Sequence, residues 1–183
     1  MRNKLLGAII AGGAARRFGG DKGAALLHGR ALIDHVASAL APQVDHLVIV
    51  GRYWPELESL ADIPAPHIGP LGGLAAALVH AESHGFTDVL TAGCDTLPIP
   101  ADYARLMPDG PAVIAGHYLI GRWPARLSTA LLAHLASTDD RSMRGWMVSA
   151  DAKHIAQPYG FHNLNTPADV AAYAFSSSSA AQS

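Results

Sequence analysis

The chain has 183 residues, half of them hydrophobic and 15% charged, which suits one domain with a packed core and excludes a disordered or collagen-like polymer. Its formal net charge of −2 argues against bulk electrostatic binding to nucleic acid or to an anionic membrane. A single cysteine, Cys94, excludes a disulfide framework or a cysteine-built zinc or iron–sulfur site within the chain, and fits a reducing cytoplasm.

No apolar run reaches the roughly 18 residues of a membrane span. The run Leu5–Ala11 passes directly into Gly12-Gly13 and Arg16-Arg17 rather than into a small-residue cleavage site, so it reads as a buried first strand and not as a secretion signal. Asp45–Val50 and Thr87–Ala92 are further short, branched, apolar runs of the buried-strand type. Helical patterns lie between them. Ala31–Leu40 stacks Leu32, His35, Val36, Ala39 and Leu40 on one stripe, and Leu71–Ser83 starts after Pro70 and stops near Gly85. This alternation predicts an α/β fold with a mostly parallel sheet. Beyond residue 110 the pattern suggests a hairpin of Ala112–Ala115 and Gly121–Leu127. Helices over Ser128–Leu135 and Met143–Ala150, a short strand at Lys153–Ala156 and a closing helix over Pro167–Ala174 follow. The low-complexity stretch Phe175–Ser183 is expected to be a disordered tail.

The densest chemistry follows the first strand: Ala11-Gly12-Gly13-Ala14-Ala15-Arg16-Arg17-Phe18-Gly19-Gly20-Asp21-Lys22. In a parallel α/β sheet such a loop leaves the carboxyl end of a strand, where ligands bind. Its four glycines let backbone N–H groups approach an anion, and Arg16, Arg17 and Lys22 add positive charge. Lys22 is one of only three lysines in the chain. The combination describes a polyphosphate cradle, although neither a Walker A loop nor a G-x-G-x-x-G fingerprint is present.

This loop resembles the L-A-G-G-x-x-x-R-x-G-G-x-D-K signature of nucleotidyltransferases, and most closely that of the molybdenum cofactor guanylyltransferase family, the MobA type. Ile10 replaces the usual leucine, and one residue is missing between Gly20 and Asp21. Further segments match. Gly69-Pro70-Leu71-Gly72-Gly73-Leu74 is similar to the family's G-P-L-A-G turn. Ala92-Gly93-Cys94-Asp95 is similar to its metal-binding strand end, with Pro98 one place late. Phe161-His162-Asn163-Leu164-Asn165-Thr166-Pro167 is similar to its F-x-N-[IL]-N-T-P ending. Gly51 stands before Arg52 where the family usually carries asparagine.

The resemblance implies a three-layer, Rossmann-like nucleotidyltransferase fold. A single domain would span residues 1–174, with nucleotide binding in about 1–100 and acceptor binding in about 101–174. It implies that Ala11, Gly12, Gly13, Lys22, Asp62, Gly69, Pro70, Leu71 and Asp95 hold the nucleotide. Arg17, Lys22 and Asp95 would carry catalysis, and Asp95 would bind Mg²⁺. Asp62, seven residues before Gly69, would read guanine, whose N1–H and N2 amino group suit one carboxylate. Asn163 and Asn165, expected to alternate along a strand and point to one side, would meet the acceptor. The implied reaction is GMP transfer from GTP to molybdenum-bound molybdopterin with release of pyrophosphate. Cofactor-biosynthesis proteins and apo-molybdoenzymes are the implied protein partners. A transferase using CTP or a sugar phosphate, and a non-catalytic nucleotide-binding homologue, remain open alternatives. Cys94 reads as a small buried filler. His80 and His84 share a helical face but complete no H-E-x-x-H, and read as a solvated helix end.

Overall fold

In a computed structural model of the chain, residues 3–12, 18, 20–66, 68–156 and 159–180 are described. The first strand, β1 (Leu5–Ile10), is followed by a small ribbon of β2 (Leu26–Leu27) and β3 (Arg30–Ala31) and by helix α1 (Leu32–Leu40). Next come β4 (His46–Val50), the short β5 (Glu58–Leu60), α2 (Pro70–Ser83) and β6 (Asp88–Gly93). The second half holds β7 (Thr96–Leu97), α3 (Tyr103–Leu106), β8 (Ala112–Ile114), β9 (His117–Pro124), α4 (Ser128–Ser137) and α5 (Met143–Ser149). It ends with β10 (Lys153–Ile155), β11 (His162–Asn163) and α6 (Pro167–Ala180).

Seven strands form one sheet in the order β10-β8-β9-β6-β1-β4-β5. All neighbours pair in parallel except β9, which is antiparallel to both β6 and β8. The hairpin expected after residue 110 is therefore present. Its second strand begins earlier than expected, at His117, and stops at Pro124; residues 125–127 form a single 3₁₀ turn.

The two-residue period of the strands sorts side chains into two cores. Leu6, Ala8, Ile10, Val48 and Val50 face one core with α2, α4 and α5. Ile9, Ile49, Leu90 and Ala92 face the other, with α1, α3 and the start of α6. Helix α2 is buried nearly all round, because the sheet lies on one side and α4 on the other. Helix α1 buries Leu32, Ile33, Val36 and Leu40, so Ile33 joins the stripe while His35 stays at its edge.

Helix α6 continues to Ala180 and does not give way at Phe175 to a disordered tail. The Ser176 and Ser177 hydroxyls donate to the Tyr173 carbonyl one turn back. No glycine or proline follows Phe175 to stop the helix. Its start is held by a reciprocal cap. The Asp169 N–H donates to Thr166 Oγ1 at 3.1 Å, and the Asp169 carboxylate accepts from the N–H groups of Thr166 and Asn165 at 2.8 and 2.9 Å. Ser177 also meets His28 Nε2 at 3.1 Å, which joins this part of α6 to the β2–β3 ribbon.

Candidate active site

Strands β1, β4 and β6 end side by side, and the segments that leave their carboxyl ends build the crevice. Ala11 N–H donates to the Val50 carbonyl, and Cys94 N–H to that of Ile10, so the three exits stay in register for one step past the strands. A central cavity of about 390 Å³ is lined by Ile10, Ala11, Gly12, Asp21, Lys22, Arg52, Cys94 and Asp95, among others. On one flank Gly51, Arg52, Ser59, Leu60 and Asp62 border a cavity of about 290 Å³. On the other flank Asp95, Thr96, Tyr118, Met143, Asn163 and Asn165 border one of about 320 Å³. Arg52 is a wall common to the first two, and Asp95 to the first and third.

Lys22 and Asp95 meet at the centre. The Lys22 ammonium pairs with the Asp95 carboxylate and donates to Asn165 Oδ1 at 2.8 Å. Both charged side chains are mostly buried, 18% and 14% exposed, so their attraction is weakly screened. Asn163 accepts from Thr96 Oγ1 at 2.8 Å, and Leu164 N–H donates to the Asp95 carbonyl at 2.9 Å. Those bonds tie the β11 segment to the exit of β6. Asn163 and Asn165 both line the third cavity. The geometry differs from expectation, because β11 contains only His162 and Asn163 and Asn165 lies beyond it at the helix cap.

Asp62 is packed among glycines from three other segments. A β-carbon on Gly12 would stand 3.0 Å from Asp62 Oδ2, one on Gly51 3.2 Å from Oδ1, and one on Gly72 3.2 Å from its Cβ. Ile63 N–H donates to the Gly72 carbonyl, which seats the segment on the first turn of α2. Gly51 itself has φ of +89°, and a β-carbon there would lie 2.4 Å from Gly12 Cα. Asparagine, the residue the resemblance led one to look for at this place, has no room in this backbone.

The turn before α2 plays another part than a direct lining. Gly69 has φ of +93° with open space around it, so it is the backbone turn that requires glycine there. Pro70 opens the helix, and the Leu71 side chain is fully buried in the core. None of the three lines these cavities. Leu71 is wholly buried, so it supports the turn and does not face the crevice. Gly13 and Arg17 lie outside the described residues.

Two groups gained weight only from the structure. Arg52 donates from both Nη1 and Nη2 to the two oxygens of Asp21 at 2.5 Å and stacks on Trp54 at 5.1 Å. This bidentate pair latches the glycine-rich segment to the exit of β4, and it holds the Asp21 carboxyl below its ordinary value. Thr96 is the other, through its bond to Asn163. The signal for Arg52 was its place two residues past a strand end. Cys94, expected as a buried filler, is only half-buried and lines the central cavity; burial, and then the neighbouring Asp95 charge, push its thiol up to about 12. A thiol so disposed stays protonated near neutral pH.

A family model described as "MobA-like NTP transferase domain" matches residues 7–155. The chain belongs to the MobA-like NTP transferase family. A molybdenum cofactor guanylyltransferase of Cereibacter sphaeroides is 35% identical, with 92% of this chain and 94% of the relative covered. A probable molybdenum cofactor guanylyltransferase of Deinococcus radiodurans is 37% identical, covering 91% and 92%. Among solved structures, molybdopterin-guanine dinucleotide biosynthesis protein A of Archaeoglobus fulgidus matches with a TM-score of 0.75 at 20% identity, over 95% of this chain and 99% of that one. The mostly parallel sheet between helical layers is thus the nucleotidyltransferase architecture.

In this MobA-like transferase the donor chemistry suits a hard divalent cation. The central cavity offers carboxylate oxygen from Asp95 at a strand exit, beside a protonated thiol and, among the described residues, with no imidazole on its lining. Among the described residues, no helix of the transferase is long and apolar enough to cross a membrane.

Proposed function

We propose that this transferase moves GMP from GTP to the terminal phosphate of molybdenum-bound molybdopterin, releasing pyrophosphate and forming the guanine dinucleotide. The observation that carries the reading is the row of three adjoining cavities, with Asp62 in the first, Lys22 in the second and the two asparagines in the third. The row has the order of a base, a phosphate chain and an acceptor.

Each compartment has a chemical task. The Asp62 carboxylate accepts from guanine N1–H and the N2 amino group, a donor pair that cytosine and adenine lack. The Gly12 backbone lies close beside it and lets the sugar-phosphate approach without a side chain in the way. Lys22 holds its ammonium at the wall between the phosphate and acceptor cavities, where charge builds on the α-phosphate and on departing pyrophosphate. Asp95 would hold Mg²⁺, which when bound neutralises phosphate charge and aligns its oxygens. Asn163 and Asn165 offer amide groups to the incoming phosphate or pterin. That phosphate is already ionised near neutral pH, so in-line attack at the α-phosphorus requires positioning and charge stabilisation rather than a general base.

Calorimetric titration with GTP, CTP and ATP in the presence of Mg²⁺, repeated on Asp62→Asn, tests this reading. Selective binding of GTP that Asp62→Asn weakens by about 10- to 100-fold, the scale of one charged hydrogen-bond acceptor, is the expected result. Preference for CTP, or indifference to Asp62, overturns the guanine assignment. GTP binding without pyrophosphate release in the presence of acceptor overturns the catalytic one.

A further inference from the structure

His46 opens β4, Glu58 opens β5 and His80 lies in the last turn of α2. His46 is four residues, about 13 Å of strand, before the Val50 end that borders the crevice. His46 Nε2 is 2.7 Å from Glu58 Oε2, and His80 Nδ1 is 3.7 Å from Glu58 Oε1. One ligand atom from each of the three lies within 4.8 Å of the others. Tetrahedral zinc with bonds of about 2.0–2.1 Å sets its ligands roughly 3.3 Å apart, so small side-chain rotations bring this trio to coordination distance.

The surroundings orient the rings. His84 stacks on His80, centroids 4.1 Å apart, and its Nδ1 bonds to the His80 carbonyl. Phe86 stacks on His46 at 6.3 Å. The His80 side chain is 10% exposed, whereas those of His46 and Glu58 are 45% and 44% exposed, which leaves one side open to solvent. The helical pair His80 and His84 therefore does not act as two ligands of one ion. The partners of His80 come from the sheet edge, 34 and 22 residues away in sequence.

We propose that His46, Glu58 and His80 form a binding site for a divalent transition-metal ion of the zinc type, separate from the catalytic crevice. Two imidazoles and one carboxylate are the donor set of zinc or nickel, and they leave the fourth position to water. Magnesium prefers an all-oxygen shell and is not taken up there. The ion would join the edge strand β5 to β4 and α2. Edge strands of three residues hold few ladder bonds, so such a clasp stabilises the part of the sheet that leads to Asp62.

The test is calorimetry and thermal denaturation of the full chain, free of any histidine tag, with Zn²⁺ and separately with Mg²⁺. The expected result is one Zn²⁺ per chain and a raised melting temperature. Glu58→Gln and His80→Gln should lose both, while His84→Gln keeps them. Metal-free melts of the variants that match the parent show that the loss is not unfolding. Co²⁺ gives a second reading, as a visible spectrum of tetrahedral intensity without a thiolate band. Zinc binding that persists in Glu58→Gln and His80→Gln, or no zinc binding by the folded parent, overturns the proposal.

Discussion

Gly51 and Gly12 face each other so closely that a β-carbon on Gly51 would lie 2.4 Å from Gly12 Cα. The two glycines sit at the exits of adjacent parallel strands, and the Asp62 carboxylate packs against both. Their contact is what brings Asp62 next to the glycine-rich segment that leaves β1.

Gly51→Asn is therefore expected to harm this chain, although it restores the residue the resemblance would place there. Asparagine tolerates a positive φ better than other residues with a β-carbon, so the main cost is the clash with the Gly12 backbone, about 1–3 kcal/mol on the scale of overpacking. Urea denaturation should show at least that loss, and GTP affinity should fall with it. A variant as stable as the parent would show that the crevice backbone rearranges freely.

Lys22→Ala should lower turnover by about 10²–10³, the scale of one lost transition-state donor, with a smaller effect on GTP affinity. Lys22 also neutralises Asp95 in the structure, so Asn165→Ala provides a contrast: it removes a bond to Lys22 while leaving the ammonium in place. Pyrophosphate release under single-turnover conditions checks both. Near-normal turnover in Lys22→Ala would remove the residue from the reaction.

The Asp21–Arg52 latch gives a pH dependence of known sign. Arg52 holds the Asp21 pKa below its ordinary 3.8, so the folded chain binds this proton less readily than the unfolded one. The stabilisation is present above pH 3.8 and disappears as the pH falls through the lower, folded value. Thermal melts from about pH 5 down to pH 2.5 should show parent and Asp21→Asn converging at the acid end. Asp21 is half-exposed, so the difference at neutral pH should be modest.

Thr166→Ala removes one side of the cap on α6 and should cost about 1 kcal/mol. Asn165 is bonded to the same Asp169 carboxylate, so the loss should also loosen the Asn165–Lys22 bond. Chemical denaturation measures the first effect, and the KM for the acceptor the second.

Local pattern made much of this molecule legible. The strand runs, the proline-started α2, the Thr166 cap and the glycine-rich exit of β1 are each written within a dozen residues. Lys22, Asp62 and Asp95 were found through motif resemblance, and they do line the crevice. Contacts that depend on strand pairing were not legible. Asp21 and Arg52 are 31 residues apart, and the buried Arg122 meets Asp88 from 34 residues away across the β6–β9 pair. His46 and His80 come together through the packing of α2 on the sheet, which is equally non-local. The reach of α6 was not legible either, because serine-rich composition suggests a loose tail, whereas the Ser176 and Ser177 hydroxyls bond back to the preceding turn.

Asp95 forms a wall of both the central cavity and the cavity bordered by Asn163 and Asn165, and under the proposed function this has a kinetic consequence. Two substrates that meet across one carboxylate must be present together, so initial-rate patterns should be sequential and never ping-pong. The joined product would span both compartments. It should compete with GTP and with the acceptor alike, so that its removal, by hand-over to a receiving protein or by dissociation, controls how often the crevice can be refilled.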